Sequence, residues 1–162
     1  MDSAGSEVTL RSYQQWMDEY EESHRHPLNQ KIHKICVPLI MFSLLGLLRS
    51  LPVPASFGFV PHLNWASLVA GLCLMFYLWL NFKMFLGMLL QLLLMSFIIH
   101  QLAATPYLLS ISVSIFSGAW IGQFIGHKVE GKKPSFFKDL IFLLIGPLWV
   151  NRFLYRKLGM IA

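Results

Sequence analysis

The chain has 162 residues, of which 56% are hydrophobic and only 13% charged, and its mean hydropathy is +0.57. Soluble domains carry about 25% charged residues, so this chain cannot cover a globule with charged surface, and it is equally unlike a disordered, collagenous or disulfide-rich secreted protein. The formal charge is +5 at pH 7, but the basic residues flank apolar segments instead of forming a stripe with aromatics, which points to lipid head groups and not to nucleic acid.

Cys36 and Cys73 both lie inside apolar runs, too few for a disulfide framework or a cysteine zinc site. No signal peptide pattern opens the sequence, because residues 1–34 are polar and include Asp18, Glu19, Glu21 and Glu22. The organisation expected is one domain overall. A polar N-terminal segment (1–34) precedes a transmembrane helical part (35–162).

In the polar segment, Leu10, Tyr13, Met17 and Tyr20 recur at helical spacing beside Trp16. They predict an amphipathic helix of about three turns lying on the membrane or on the bundle. Pro27 suits the first turn of a new helix, on which Asn29 and His33 share a face. The first apolar run, Ile35 to Leu48, is short and contains Pro38. A loop with Pro52, Pro54 and Pro61 follows. Trp65 to Phe82, Met84 to Ala104 and Pro106 to Gly126 are each long enough to span a hydrocarbon core of ~30 Å. A basic loop then leads to Leu140–Val150, which contains Gly146-Pro147 and is short for a span.

With four spans and a cytoplasmic N-terminus, nine basic residues (Arg11, Arg25, Lys31, Lys34, Lys83, Lys128, Lys132, Lys133 and Lys138) fall inside, and only Arg49 falls outside. That asymmetry follows the positive-inside rule. Arg152, Arg156 and Lys157 also favour the cytoplasm, so Leu140–Val150 is expected to enter and return, or to lie in the interface. The fold expected is all-α, a membrane helical bundle of about four transmembrane helices plus a re-entrant or interfacial C-terminal segment. Ser110, Ser114, Gly118, Gly122 and Gly126 place a small residue at every fourth position of the last span, which reads as a helix-packing ridge.

The topology also brings chemistry together. His24, His26 and His33 precede the first span and His127 follows the fourth, so all four reach one membrane boundary. Gln123, His127 and Glu130 point roughly the same way if the last span continues as a helix. Several imidazoles with a carboxylate suit non-haem iron or zinc. His62, on the opposite side, and His100, inside the third span, are read as packing residues.

Two longer patterns run through these residues. His24-x-x-Pro27-x-Asn29-x-x-x-His33 is followed by Val37-Pro38, and Trp120-x-x-Gln123-Phe124-x-Gly126-His127-x-x-Glu130 is followed by Pro134. Together with Gly146-Pro147 they resemble the signatures of the fungal 2-hydroxy fatty acid dioxygenase family and its small bacterial membrane relatives. The resemblance runs from Tyr20 to Phe153 and departs from the fungal pattern at two points. One residue fewer separates His127 from Glu130, and His26 stands where the fungal form has another polar residue.

The resemblance implies an iron(II)-dependent dioxygenase that shortens a 2-hydroxy fatty acid by one carbon, in fungi a step of phytosphingosine breakdown in the endoplasmic reticulum membrane. A bacterial relative would sit in the inner membrane. Carried over by residue, the resemblance makes His24, His33 and His127 candidate Fe(II) ligands, with Glu130 as a ligand or catalytic partner and Asn29 and Gln123 as accompanying polar residues. A 2-hydroxy acid can chelate iron through its carboxylate and hydroxyl, leaving room for dioxygen beside three histidines. Lys128 or Lys132 could hold the carboxylate while the alkyl tail lies among the spans. Two other classes fit the same residues: a zinc-dependent lipid hydrolase with Glu130 as general base, or a non-catalytic membrane scaffold or transporter subunit. The absence of charge inside the spans weighs against transport.

Overall fold

The computed structural model describes residues 11–159, so Leu10 of the predicted amphipathic stripe lies outside them. Among the described residues the elements are six α-helices and two short 3-10 turns, with no strand. Three of the helices, α2 (Pro27–Arg49), α4 (Phe82–Ala103) and α5 (Leu108–Glu130), are long and apolar enough to cross a membrane. Between α2 and α4, α3 (Trp65–Leu80) has 16 residues, or about 24 Å at 1.5 Å per residue.

The polar segment folds for local reasons. Ser12 caps α1 (Tyr13–Glu21) in a reciprocal pair with Gln15, and Trp16, Met17 and Tyr20 turn one buried stripe inward. His26 caps α2 through its ring, which accepts from the Leu28 N–H, and Pro27 occupies the first helical position, where its missing N–H costs nothing. Residues 34 and 35 are consecutive inside α2, so the polar lead and the first apolar run form one helix of 23 residues that passes through Pro38. Asn81 alone joins α3 to α4. It is extended (φ −164°, ψ 118°) and its side chain accepts from the Met84 N–H. Gly131 ends α5 in the left-handed region (φ 72°), where a side chain is strained.

α2 and α5 form the most extensive helix pair and run antiparallel, which brings the start of one beside the end of the other. The small-residue ridge explains only part of this. A step of four residues turns about 40° past a full circle, so the five positions wander through about 160° of the helix surface. Ser110, Ser114 and Gly118 are exposed, and a Cβ on Gly118 would meet nothing within 4 Å. Gly122 and Gly126 do face α2, against Cys36 and Asn29. The buried face of α5 is instead Leu108, Ser112, Ala119, Gln123, Gly126 and His127.

α6 (Phe142–Lys157) is a single unbroken helix through Pro147, with no turn back within it. Both of its halves stay at the end of the bundle where α2 starts. The Tyr77 hydroxyl at the end of α3 donates to the Leu144 carbonyl, and the Tyr155 hydroxyl donates to the Lys83 carbonyl at the start of α4. One buried cluster gathers there, with Trp16, Met17 and Tyr20 against Ile145, Leu148 and Trp149. A second cluster, including Leu45, Ala66, Leu92, Met95 and Leu108, fills the opposite end. Outward faces remain apolar: Leu90, Leu93, Leu94 and Phe97 of α4 are all at least 60% exposed.

Candidate metal centre

Three helical segments converge on one point. His24 sits in the short link after α1, His33 one turn into α2 beyond Asn29, and His127 in the last turn of α5. Each offers a ring nitrogen, and the three nitrogens lie within 4.8 Å of one another. The rings pack edge to face, with centroids 4.4–5.0 Å apart, and all three are at most 5% exposed.

The backbone sets which nitrogen is free. Nδ1 of His24 lies 2.6 Å from the Tyr20 carbonyl, and Nδ1 of His33 lies 3.1 Å from the Asn29 carbonyl. A carbonyl only accepts, so each Nδ1 carries the proton and each Nε2 keeps its lone pair. Nε2 of His24 is buried without a hydrogen-bond partner. Nε2 of His33 faces Nε2 of His127 at 3.1 Å. Two imidazole nitrogens bound cis to one ion at about 2.1 Å stand about 3 Å apart, so that spacing suits a shared cation. Nδ1 of His127 is also buried with no partner. Burial pushes the His24 imidazole down to about 4, against the Tyr20 carbonyl, which opposes the shift. At neutral pH the ring is therefore uncharged and able to ligate. The donor set fits a metal ion that prefers imidazole, such as iron or zinc.

Around the rings, Asn29 is fully buried and its Nδ2 donates to the Ser23 carbonyl (3.2 Å) and to Oε2 of Glu130 (3.1 Å). Its Oδ1 packs where Gly126 has no side chain, so any Cβ there would strike it. Glu130 does not join the nitrogen cluster. Oε1 accepts from the Arg25 N–H at 2.9 Å and Oε2 from the His26 N–H at 2.8 Å. The carboxylate thus pins the His24 link to the end of α5. Gln123 is buried one turn before His127, yet makes no side-chain hydrogen bond to it. Lys132 donates to the Glu22 carbonyl at 2.8 Å, and Lys128 is exposed.

Two histidines read as packing residues are instead exposed. His62 sits at a positive φ of 62° in the loop before α3, and His100 faces outward from α4. His26 is spent as the α2 cap. Three further contributors carry no motif that spacing could reveal. Tyr20 stacks on His24 (centroids 4.0 Å, 13° between planes), Gln30 donates to the His24 carbonyl at 2.9 Å, and Trp149 of α6 backs the His24 ring at 5.4 Å. Their work is done through ring faces and main-chain atoms, which helical spacing does not encode.

The histidines close one end of a cavity of about 470 Å³, a size usual for small-molecule sites. Its walls are apolar, with Val37, Met41, Met88 and Phe116 among them. Leu44, Leu140 and Leu143 also line it while remaining 41–72% exposed, so the cavity opens sideways toward the outer surface of the bundle.

Residues 10–158 match the family model described as 2-hydroxy-palmitic acid dioxygenase Mpo1-like. The chain is also 30% identical, over 144 residues, to the 2-hydroxy-palmitic acid dioxygenase MPO1 of Saccharomyces cerevisiae, covering 86% of this chain and 78% of the yeast protein. No solved structure matches the chain. The protein belongs to the Mpo1-like family.

Proposed function

We propose, from that membership and from the three converging imidazoles, that the protein is an integral membrane, iron(II)-dependent dioxygenase that shortens long-chain 2-hydroxy fatty acids by one carbon. The observation that carries this reading is the position of three buried histidine nitrogens, with no partner beyond one another, at one end of an apolar cavity. His24, His33 and His127 hold the iron. When bound, iron(II) supplies dioxygen activation and a docking point for adjacent carboxylate and hydroxyl oxygens.

The rest follows from the chain's own groups. Carbonyls of Tyr20 and Asn29 fix the His24 and His33 rings by holding their Nδ1 protons, the arrangement that orients metal-bound imidazoles. Asn29 and Glu130 keep the His24 link against α5. Gln123, in the cavity wall beside His127, is the amide placed to meet a polar head group. The alkyl tail lies in the apolar cavity, which excludes water from the reacting end. With Glu130 already accepting three donors, a hydrolase that uses it as general base is disfavoured. In the membrane, α2 to α5 cross with both termini cytoplasmic, and α6 lies across the cytoplasmic end.

The test pairs elemental analysis of purified protein with oxygen-dependent conversion of a long-chain 2-hydroxy acid. Replacing His24, His33 or His127 by Ala should remove both bound iron and conversion, while His62→Ala should remove neither. Full iron content and turnover in all three variants would place the site elsewhere. Zinc in place of iron, with no oxygen consumed, would turn the reading to the hydrolase class.

A further inference from the structure

The residues that line the cavity run along the two central helices. His33, Val37, Met41 and Leu45 line it along α2, a stretch of 12 residues or about 18 Å. Phe116, Trp120, Gln123 and His127 line it over three turns of α5. The histidines and Gln123 stand at one end. At the other, Leu45 and Leu92 belong both to the cavity wall and to the buried cluster with Ala66, Met95, Ile99 and Leu108, and Ala70 packs against that cluster. Beyond this layer lie the buried side chains of Met95, Ile99 and Leu108. The cavity therefore has a definite depth, close to the roughly 15 Å that one leaflet contributes to a ~30 Å hydrocarbon core.

We propose that Leu45, Ala70 and Leu92 form the floor that sets the longest acyl chain this protein accepts. The assignment rests on the functional reading above, in which the chain's head is held at the histidines. Given a fixed head, each further methylene must reach deeper along α2 until it meets the floor. Ala70 is the smallest of the three, and unlike Ala66 it lines the cavity, so it is where added bulk shortens the cavity most directly. Leu92 is the larger one, where truncation deepens it.

The experiment measures displacement of a fluorescent fatty acid from full-length protein in detergent by 2-hydroxy acids of increasing chain length. Ala70→Phe should move the best-bound length to shorter acids by about two to four carbons, and Leu92→Ala should admit longer ones. Ala70→Val and Leu92→Val make smaller changes that the fold tolerates more readily, and should shift the profile in the same two directions. A wild-type protein that binds the acids, with profiles unchanged in all four variants, overturns the floor assignment alone. A wild-type protein that binds no acid of any length overturns the functional reading and the floor with it.

Discussion

Both oxygens of Glu130 accept backbone N–H groups from the link before α2, and Oε2 takes Asn29 Nδ2 as well. A carboxylate that satisfies three donors is placed to hold the segment that carries His24, and its charge strengthens each of those bonds. Hydrogen bonds to an ionised group are worth about 1.5–3 kcal/mol, and lost partners of metal-bound imidazoles weaken metal affinity about 10–100-fold. Glu130→Ala should therefore lower both thermal stability and iron affinity, measured by melting and by metal titration. Glu130→Gln keeps one acceptor oxygen but turns an amide NH2 toward an N–H donor, so it should recover part of the lost stability and, once iron is saturating, part of the turnover. Turnover as low for Gln as for Ala under saturating iron would show that the carboxylate works as ligand or base. Asn29→Asp sets a second carboxylate against Glu130 where Nδ2 now donates. It should destabilise the protein more than Asn29→Ala does, a difference readable by melting. Topology alone brings His24, His26, His33 and His127 to one boundary, and it is the family resemblance that sets His26 apart from the other three. The Glu130 contact was not legible in the sequence, since its partners are main-chain N–H groups that carry no residue signature.

The α2–α5 pair shows why helix packing is harder to read than helix existence. Small residues at every fourth position predict one ridge, but a helix repeats every 3.6 residues, so only the last two positions reach α2. A Cβ on Gly122 would stand 2.7 Å from the Cys36 sulfur, whereas one on Gly118 meets nothing. Gly122→Leu should thus cost about 1–3 kcal/mol through overpacking, and Gly118→Leu should leave the melting temperature in detergent within a degree or so of the parent. Equal effects would mean that the two helices approach along another face. Pro38 misleads in a related way. It sits inside the first apolar run, where a soluble helix would kink or break, yet α2 continues through it. Neighbouring helices and local adjustments re-satisfy the freed backbone groups, which is why membrane helices tolerate proline. The C-terminal run reads as too short to span because apolar length alone was counted. The helix extends to Lys157 by including Asn151, Arg152 and Arg156, and Arg152 reaches Glu21 of α1 at 3.3 Å.

For the molecule as a whole, charge and packing mark the same end of the bundle. Charge places the basic flanks on the side of the histidines, with Arg49 alone at the opposite end of the helices. Packing places α1, α6, the start of α2 and the end of α5 together at that same end. The α3 helix is the element that tests the orientation. At 16 residues it is shorter than a ~30 Å core demands, and the one-residue link at Asn81 leaves no slack between it and α4. If α3 crosses, the loop between Arg49 and His62 lies outside, and the loop between Gly131 and Asp139 lies in the cytoplasm. In a variant with Cys36 and Cys73 replaced by Ala, a single cysteine at Phe59, which is 90% exposed, should react with an impermeant maleimide added to intact cells. A single cysteine at Lys133 should react only after the cells are opened. Labelling of Phe59→Cys and Lys133→Cys from the same side of the membrane would mean that α3 does not cross. The count of spans would then be odd, His33 and His127 could not share a membrane face, and the metal centre would lose its topological basis. Labelling of Phe59→Cys only from the cytoplasm with Lys133→Cys labelled from outside would invert the bundle without separating the histidines, and would move iron and dioxygen chemistry to the opposite face of the membrane.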